Sequence, residues 1–196
     1  MSDDRYITIA GQAEGLYKEK GSKFLAYALP VNAETEIREI LQEYRKKYYD
    51  ARHICYAYTL GKDRNIYNSS DAGEPPHTAG DPILHEIRAS GFTNILVIVV
   101  RYFGGVKLGK SGLITAYREA ARDCLHSASR VEKMETEPLL IQFSYENTSY
   151  LQALIVRIGA EIISSNYTDH CELNLLIPKS KINQARESLK DYIVNS

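Results

Sequence analysis

"NILVIVVRYFGGVKLGKSG", residues 94–112, decides how this chain is read. Its first part, Ile95 to Val100, is apolar without alternation, which predicts a strand covered on both faces. The loop after it contains GGVKLGKS, which matches the phosphate-loop pattern G-x-x-x-x-G-K-[ST] letter for letter. A helix is predicted next, from about Ser111 to Ser127, with Leu113, Ile114, Tyr117 and Ala121 turned inward. Buried strand, glycine loop and helix are the context a phosphate loop requires.

Three features argue against that reading. A phosphate-loop NTPase anchors its metal with an aspartate at the end of another buried strand. Here LLIQF meets Ser144, NLLIP meets Lys179 and NILVIVV meets Arg101. The motif also comes late, leaving too few elements after it to complete a parallel nucleotide-binding sheet. Finally, Arg101-Tyr102-Phe103 at the strand exit has no part in the pattern. The match is read as coincidence, and ATP or GTP with magnesium is not expected at the loop.

Working outward, YITIA (6–10), EGLYKEKG (14–21) and KFLAYALPV (23–31) read as strands, with Gly21 turning between the last two. Asn32 is a good N-cap for an amphipathic helix through about Tyr49, and HICYAYTLG (53–61) is the next strand. A loop rich in Gly, Pro, Ser and Asp runs from Lys62 to about Gly80. Asp81-Pro82 opens a short helix that Gly91 stops. The charged stretch SRVEKMETEP (129–138) reads as a link or hinge. Beyond it come strand LLIQFSY, a helix over about 148–158 stopped by Gly159, strands near 161–167 and 170–177, and a last helix over roughly 179–192. Strand–helix–strand–strand–helix predicts a small ferredoxin-like α+β domain. The expected division is therefore residues 1–130 and residues 137–196.

The 196 residues are 44% hydrophobic and 25% charged, with a net charge of −1, so the molecule as a whole is no polycation. Charge is uneven all the same. Between Glu86 and Glu119 there is no acidic residue, while Arg88, Arg101, Lys107, Lys110 and Arg118 fall there. The start, MSDDRYITIA, lacks the apolar run of a signal peptide. The longest apolar stretch is far short of the ~20 residues that span a bilayer. Three scattered cysteines, Cys55, Cys124 and Cys171, show no metal-binding spacing and suit buried thiols in a reducing cytoplasm.

"GFTNILVIVVRYFGGVKLGKSGLITAY" (91–117), preceded by "DAGEPPHTAGDPIL" (71–84) and "ARHICYAYTLG" (51–61), resembles the IMPACT/YigZ family of small cytoplasmic proteins. GSKFLA at 21–26 stands where that resemblance places it, and the likeness covers about residues 14–128. It implies an α+β chain of two domains. The N-terminal domain would resemble domain IV of elongation factor G, with a left-handed βαβ crossover, and the C-terminal one would be ferredoxin-like. It further implies a link to translational control. The sequence departs from the family pattern at Pro76-His77 and at Lys110-Ser111, and the second pair is what completes the phosphate-loop match.

The chemistry expected is anion binding. Arg101, Lys107 and Lys110 flank Gly104, Gly105 and Gly109, where a backbone can approach RNA phosphate closely, helped by the following helix N-terminus. Tyr102 and Phe103 are the candidates for stacking on a base, with core filling beside the strand end as the other reading, and Lys23 and Arg118 extend the surface. His53, His77, Asp71, Glu74 and Asp81 match no metal-ligand spacing, and the loop acids beside prolines read as turn formers. No catalytic group, metal or cofactor is expected. The reading is a translation-associated regulatory protein that contacts RNA or the ribosome through the basic glycine loop, away from membranes. Two alternatives stay open: an enzyme using a phosphate or nucleotide at the same loop, and a protein-binding regulator of a translation-control kinase pathway.

Overall fold

The computed structural model describes residues 4–194 and is a mixed α/β structure of two compact units. One is Tyr6–Lys133; the other is residues 134–194 together with residues 4 and 5.

The larger unit is built on β1 (Arg5–Ile9), β2 (Ala13–Glu19), β3 (Ser22–Pro30), α1 (Glu34–Lys47), β4 (His53–Leu60), β5 (Ile66–Ser70), α2 (Gly80–Ser90), β6 (Ile95–Tyr102), α3 (Gly109–Ser127) and β7 (Arg130–Met134). Five strands form one sheet in the order β2-β3-β6-β4-β5, every neighbouring pair antiparallel. The apolar run of β6 sits at the centre, and its alternate residues serve two cores. Ile95, Val97 and Val99 join α2 and α3, whereas Leu96, Ile98 and Val100 join Ile37, Leu41 and Tyr44 of α1. Full burial of both faces is thus the expected state of the run, reached in an antiparallel setting.

Lys20 and Gly21, both at positive φ (46° and 77°), make the two-residue turn between β2 and β3. The β3–α1–β4 connection passes over β6, leaving β3 and β4 parallel with β6 between them.

Several sequence expectations need correction. The residue before α1 is Ala33, not Asn32; the helix is instead held by Glu36, whose carboxylate accepts the Asn32 N–H at 2.8 Å. The loop from Lys62 to Gly80 contains β5, an edge strand paired only with β4. Its residues are exposed or half-buried, so no hydrophobic alternation marks it. The supposed link contains β7, which pairs with β1 in a two-stranded ribbon, and the start of β8. A strand that buries almost nothing keeps the composition of a linker.

The smaller unit comprises β8 (Thr136–Phe143), α4 (Thr148–Ile158), β9 (Glu161–Tyr167), β10 (Cys171–Pro178) and α5 (Ile182–Ser188). Its sheet order is β8-β10-β9, and Ile193 adds a single antiparallel bridge to Ile141 of β8. The last helix is shorter than expected because Lys179–Lys181 form a 3-10 turn and the chain leaves the helix at Leu189. Asp4, 6% exposed, belongs here: its carboxylate accepts the Ser180 N–H at 3.0 Å and the Ser180 hydroxyl at 2.5 Å.

Candidate anion-binding site

Alternation along β6 puts Arg101 on the α3 side of the sheet. The register aligns it with Phe24 of β3 and His53 of β4, so the three form one row across the strands. An arginine there lies at the edge of an apolar core, only 7% exposed. A charge so placed needs a counter-charge, because desolvating it alone costs several kcal/mol. Glu74 supplies it from the loop before α2, with Oε1 2.5 Å from Arg101 Nη1.

Glu74 is itself buried and is held by more than the arginine. Tyr117 of α3 donates its hydroxyl to the same Oε1 at 2.9 Å, and His53 Nε2 stands 3.9 Å away. His53 Nδ1 is 3.0 Å from the carbonyl oxygen of Ala72, which can only accept, so Nδ1 is the donor of that contact and Nε2 faces the carboxylate. Cys55 Sγ lies 3.3 Å from Tyr117 Oη and 3.0 Å from the Asp71 carbonyl oxygen. Burial pushes the Cys55 thiol up to about 12, so it is no nucleophile at neutral pH. Burial, reinforced by Cys55 and Glu74, also raises the Tyr117 hydroxyl and keeps it protonated as a donor.

The loop that carries Glu74 is fixed by Asp71. One carboxylate oxygen accepts the N–H groups of Ala79 and Gly80, each at 2.9 Å, and the other accepts that of His77 at 2.8 Å. Asp71 thereby caps α2 from a distance. Ala72 (φ 43°) and His77 (φ 65°) bracket Glu74 in left-handed backbone, a conformation non-glycine residues seldom adopt. His77 Nδ1 also meets Asp81 Oδ2 at 2.6 Å, a contact that lowers the Asp81 carboxyl below its usual range, but the pair is exposed.

The loop after β6 faces this network across a cavity of about 480 Å³. Glu74, Arg101 and His53 line it from within; Arg52, Lys107 and Lys110 supply positive charge; Phe103, Leu108 and Leu113 supply apolar wall. Gly105 and Gly109 take positive φ (89° and 73°) and turn the loop back onto α3. No acidic residue occupies the first turn of that helix, so its positive dipole end is uncompensated.

The sequence-based candidates divide accordingly. Arg101, Lys107, Gly109 and Lys110 come together at the cavity. Gly104 and Gly105 shape the loop. Tyr102 points to the α1 side, where its hydroxyl donates to Asp50 at 2.9 Å. Lys23 is its cross-strand partner on that same side. Arg118 lies along α3, 3.6 Å from Glu86 in an ion pair, and does not line the cavity. Phe103, the second stacking candidate, does line the cavity; sequence reasoning missed Glu74 as the counter-charge of Arg101, and Arg52 as a lining residue. Among the described residues there is no cluster suited to a metal ion, and no helix is long and apolar enough to cross a membrane.

Residues 20–125, a span that holds the whole cavity, match the Impact N-terminal domain. The chain belongs to the IMPACT family. Against the IMPACT family member YigZ of Escherichia coli (strain K12) it is 30% identical over 175 residues, covering 88% of this chain and 86% of that one. An IMPACT family member of Thermus thermophilus is 37% identical over 134 residues, 68% of this chain and 72% of its own. Among solved structures, the crystal structure of a hypothetical protein superposes with a TM-score of 0.72 at 25% identity, covering 100% of this chain and 99% of the other.

Proposed function

We propose that this IMPACT-family protein acts in the control of translation in the cytoplasm, binding RNA, free or within the ribosome, through the basic rim of the cavity. The carrying observation is that Arg52, Lys107 and Lys110 converge on one cavity whose sole lining carboxylate among the described residues, Glu74, is already neutralised by Arg101. A rim of unopposed cations beside a helix N-terminus favours phosphate. Translation is the setting that the family resemblance implies. The larger unit is read as a relative of domain IV of elongation factor G with a left-handed crossover, as the family resemblance implies; the β3–α1–β4 connection over β6 supports a crossover between parallel strands, whichever its hand. The smaller unit is read as ferredoxin-like, supported by the spatial order Ile193, β8, β10, β9.

Filter-binding titrations of structured RNA and ribosomes at several salt concentrations test the reading. Each phosphate neutralised contributes a slope of about 0.7 for single strands and about 0.9 for B-DNA duplexes, the range against which structured RNA is compared. Replacing Lys107 and Lys110 together by Glu is expected to weaken binding and flatten the slope, with the fold intact because both side chains are exposed. Equally weak binding by wild type and double variant would transfer the role to a protein partner of the translation-control pathway.

A further inference from the structure

We propose that the cavity receives a single nucleotide unit bearing a terminal phosphomonoester, an assignment that rests on the RNA reading and specifies which part of the RNA enters. Its volume, about 480 Å³, is that of a site for one small ligand and not for a running strand. An internal phosphodiester carries one negative charge, whereas a terminal phosphomonoester carries about −1.5 to −2 at neutral pH. The lining matches the larger charge: Arg52, Lys107 and Lys110 have no carboxylate within ion-pair distance among the described residues.

Arg101 adds an independent sign. Its Nη1 is taken by Glu74, but its buried Nε has no hydrogen-bond partner. A buried donor left open inside a fixed network calls for an acceptor that the protein does not provide. The guanidinium carbon lies 5.5 Å from the centre of the Phe24 ring and 5.7 Å from that of Phe103. Phe103 lines the cavity while remaining 51% exposed, which leaves ring surface for a base. Glu74 is committed to Arg101 and Tyr117, so the phosphate is met by side-chain cations directly and needs no bridging magnesium. The left-handed residues Ala72 and His77 around Glu74 show backbone strain held beside the same cavity.

Calorimetric titration of the full chain without magnesium tests this. The ligands are a short RNA with a 5′-phosphate, the same RNA with a 3′-phosphate, the same RNA with hydroxyls at both ends, a nucleoside 5′-monophosphate and the free nucleoside. At least one phosphomonoester form is expected to bind about tenfold more tightly than its hydroxyl counterpart, in keeping with charge-assisted hydrogen bonds. The double variant Lys107→Glu/Lys110→Glu should erase that preference. Phe103→Ala should weaken the preferred ligand about tenfold through lost stacking. Arg38→Glu, on exposed α1, should change nothing. Tighter binding of the oligonucleotide assigns the site to an RNA end; equal or tighter binding of the mononucleotide assigns it to a free nucleotide. Equal affinity for every phosphorylated and hydroxyl form, or a preference that survives in the double variant, overturns the proposal. Salt-dependent binding of structured RNA that persists in that case leaves the RNA reading standing. A phosphomonoester preference with no binding of structured RNA removes the RNA reading alone.

Discussion

Gly104 and Gly21 meet backbone to backbone: a Cβ on Gly104 would lie 1.9 Å from the carbonyl carbon of Gly21 and 2.1 Å from the Ser22 nitrogen. The Ser22 hydroxyl also accepts the Gly104 N–H at 3.1 Å. The β2–β3 turn therefore clamps the exit of β6 and sets where the loop to Lys110 begins. Gly104→Ala places a methyl group inside backbone that cannot yield. It should cost about 3 kcal/mol or more, read as a lower urea midpoint at unchanged slope. Gly105→Ala meets no atom within 4 Å and carries only the strain of its positive φ, about 1 kcal/mol. Equal losses for the two would show that the close approach is not tight in solution.

Removing the counter-charge of Arg101 tests the buried network. Glu74→Ala leaves a guanidinium in the core without its carboxylate and should destabilise by about 3–5 kcal/mol. Tyr117→Phe removes one donor from a carboxylate that keeps its arginine, and about 1–2 kcal/mol is expected. Thermal melts of the two variants at one pH give the ranking. A silent Glu74→Ala would mean that Arg101 reaches water.

Alkaline pH should weaken the fold at the buried thiols. Burial pushes Cys55 and Cys124 from an ordinary 9.0 up to about 12. Below pH 9 both folded and unfolded chains keep these protons, and the contribution to stability is complete. As pH rises from 9 toward 12 the unfolded chain releases protons that the folded chain retains, so stability falls. Urea midpoints across that window should decline, and Cys124→Ala should make the decline shallower. At neutral pH all three cysteines, being buried, should react with an aromatic disulfide only after urea is added. Rapid labelling of the native protein would contradict this.

The larger unit should fold alone if cut where its pairing ends. A fragment of residues 6–133 keeps β7 beside β1 and should unfold cooperatively. Stopping at residue 129 strips β1 of its partner strand and should lower the melting temperature. A molten 6–133 product would show that this unit depends on the rest of the chain.

ATP and GTP should produce no magnesium-dependent stabilisation. A ligand at a hundred times its Kd adds about 2.7 kcal/mol, worth roughly 2–4 °C of melting temperature per kcal/mol at this size. Ser111, which a phosphate loop would use for magnesium, is exposed and does not line the cavity. A shift that requires magnesium and disappears in Lys110→Ala would restore the phosphate-loop reading.

What the sequence disclosed followed from burial. The apolar run of β6, the inward stripe of α3 and the αL glycines Gly91 and Gly159 ending α2 and α4 carry signals within a few residues. β5 and β7 were illegible because exposed strands need no alternation; their ladders are specified by partners distant along the chain. The site divided in the same way. Lys107 and Lys110 stand beside conspicuous glycines, whereas Glu74 is a loop acid before a proline whose partner lies 27 residues on. Only the register that aligns His53 with Arg101 brings those segments together. Tyr102 next to Arg101 illustrates the converse, since strand alternation sends adjacent residues to opposite faces.

The tie between Asp4 and Ser180 bears on the order in which the molecule takes shape during synthesis. Ser180 is made 176 positions after Asp4, so one unit must await a contact that the other does not need. Once residue 133 has emerged, every strand and helix of the larger unit is available, and that unit can finish while the remainder is being translated. Closing so long a loop adds little to the equilibrium cost, which grows only with the logarithm of length, but it does fix the timing. A product interrupted before residue 180 would hold every strand and helix of the larger unit, while the smaller unit would still lack α5 and the contact of Asp4 with Ser180. Such a product would be selectively open to proteolysis, so the unfinished chain would be removed by the end that lacks its clasp.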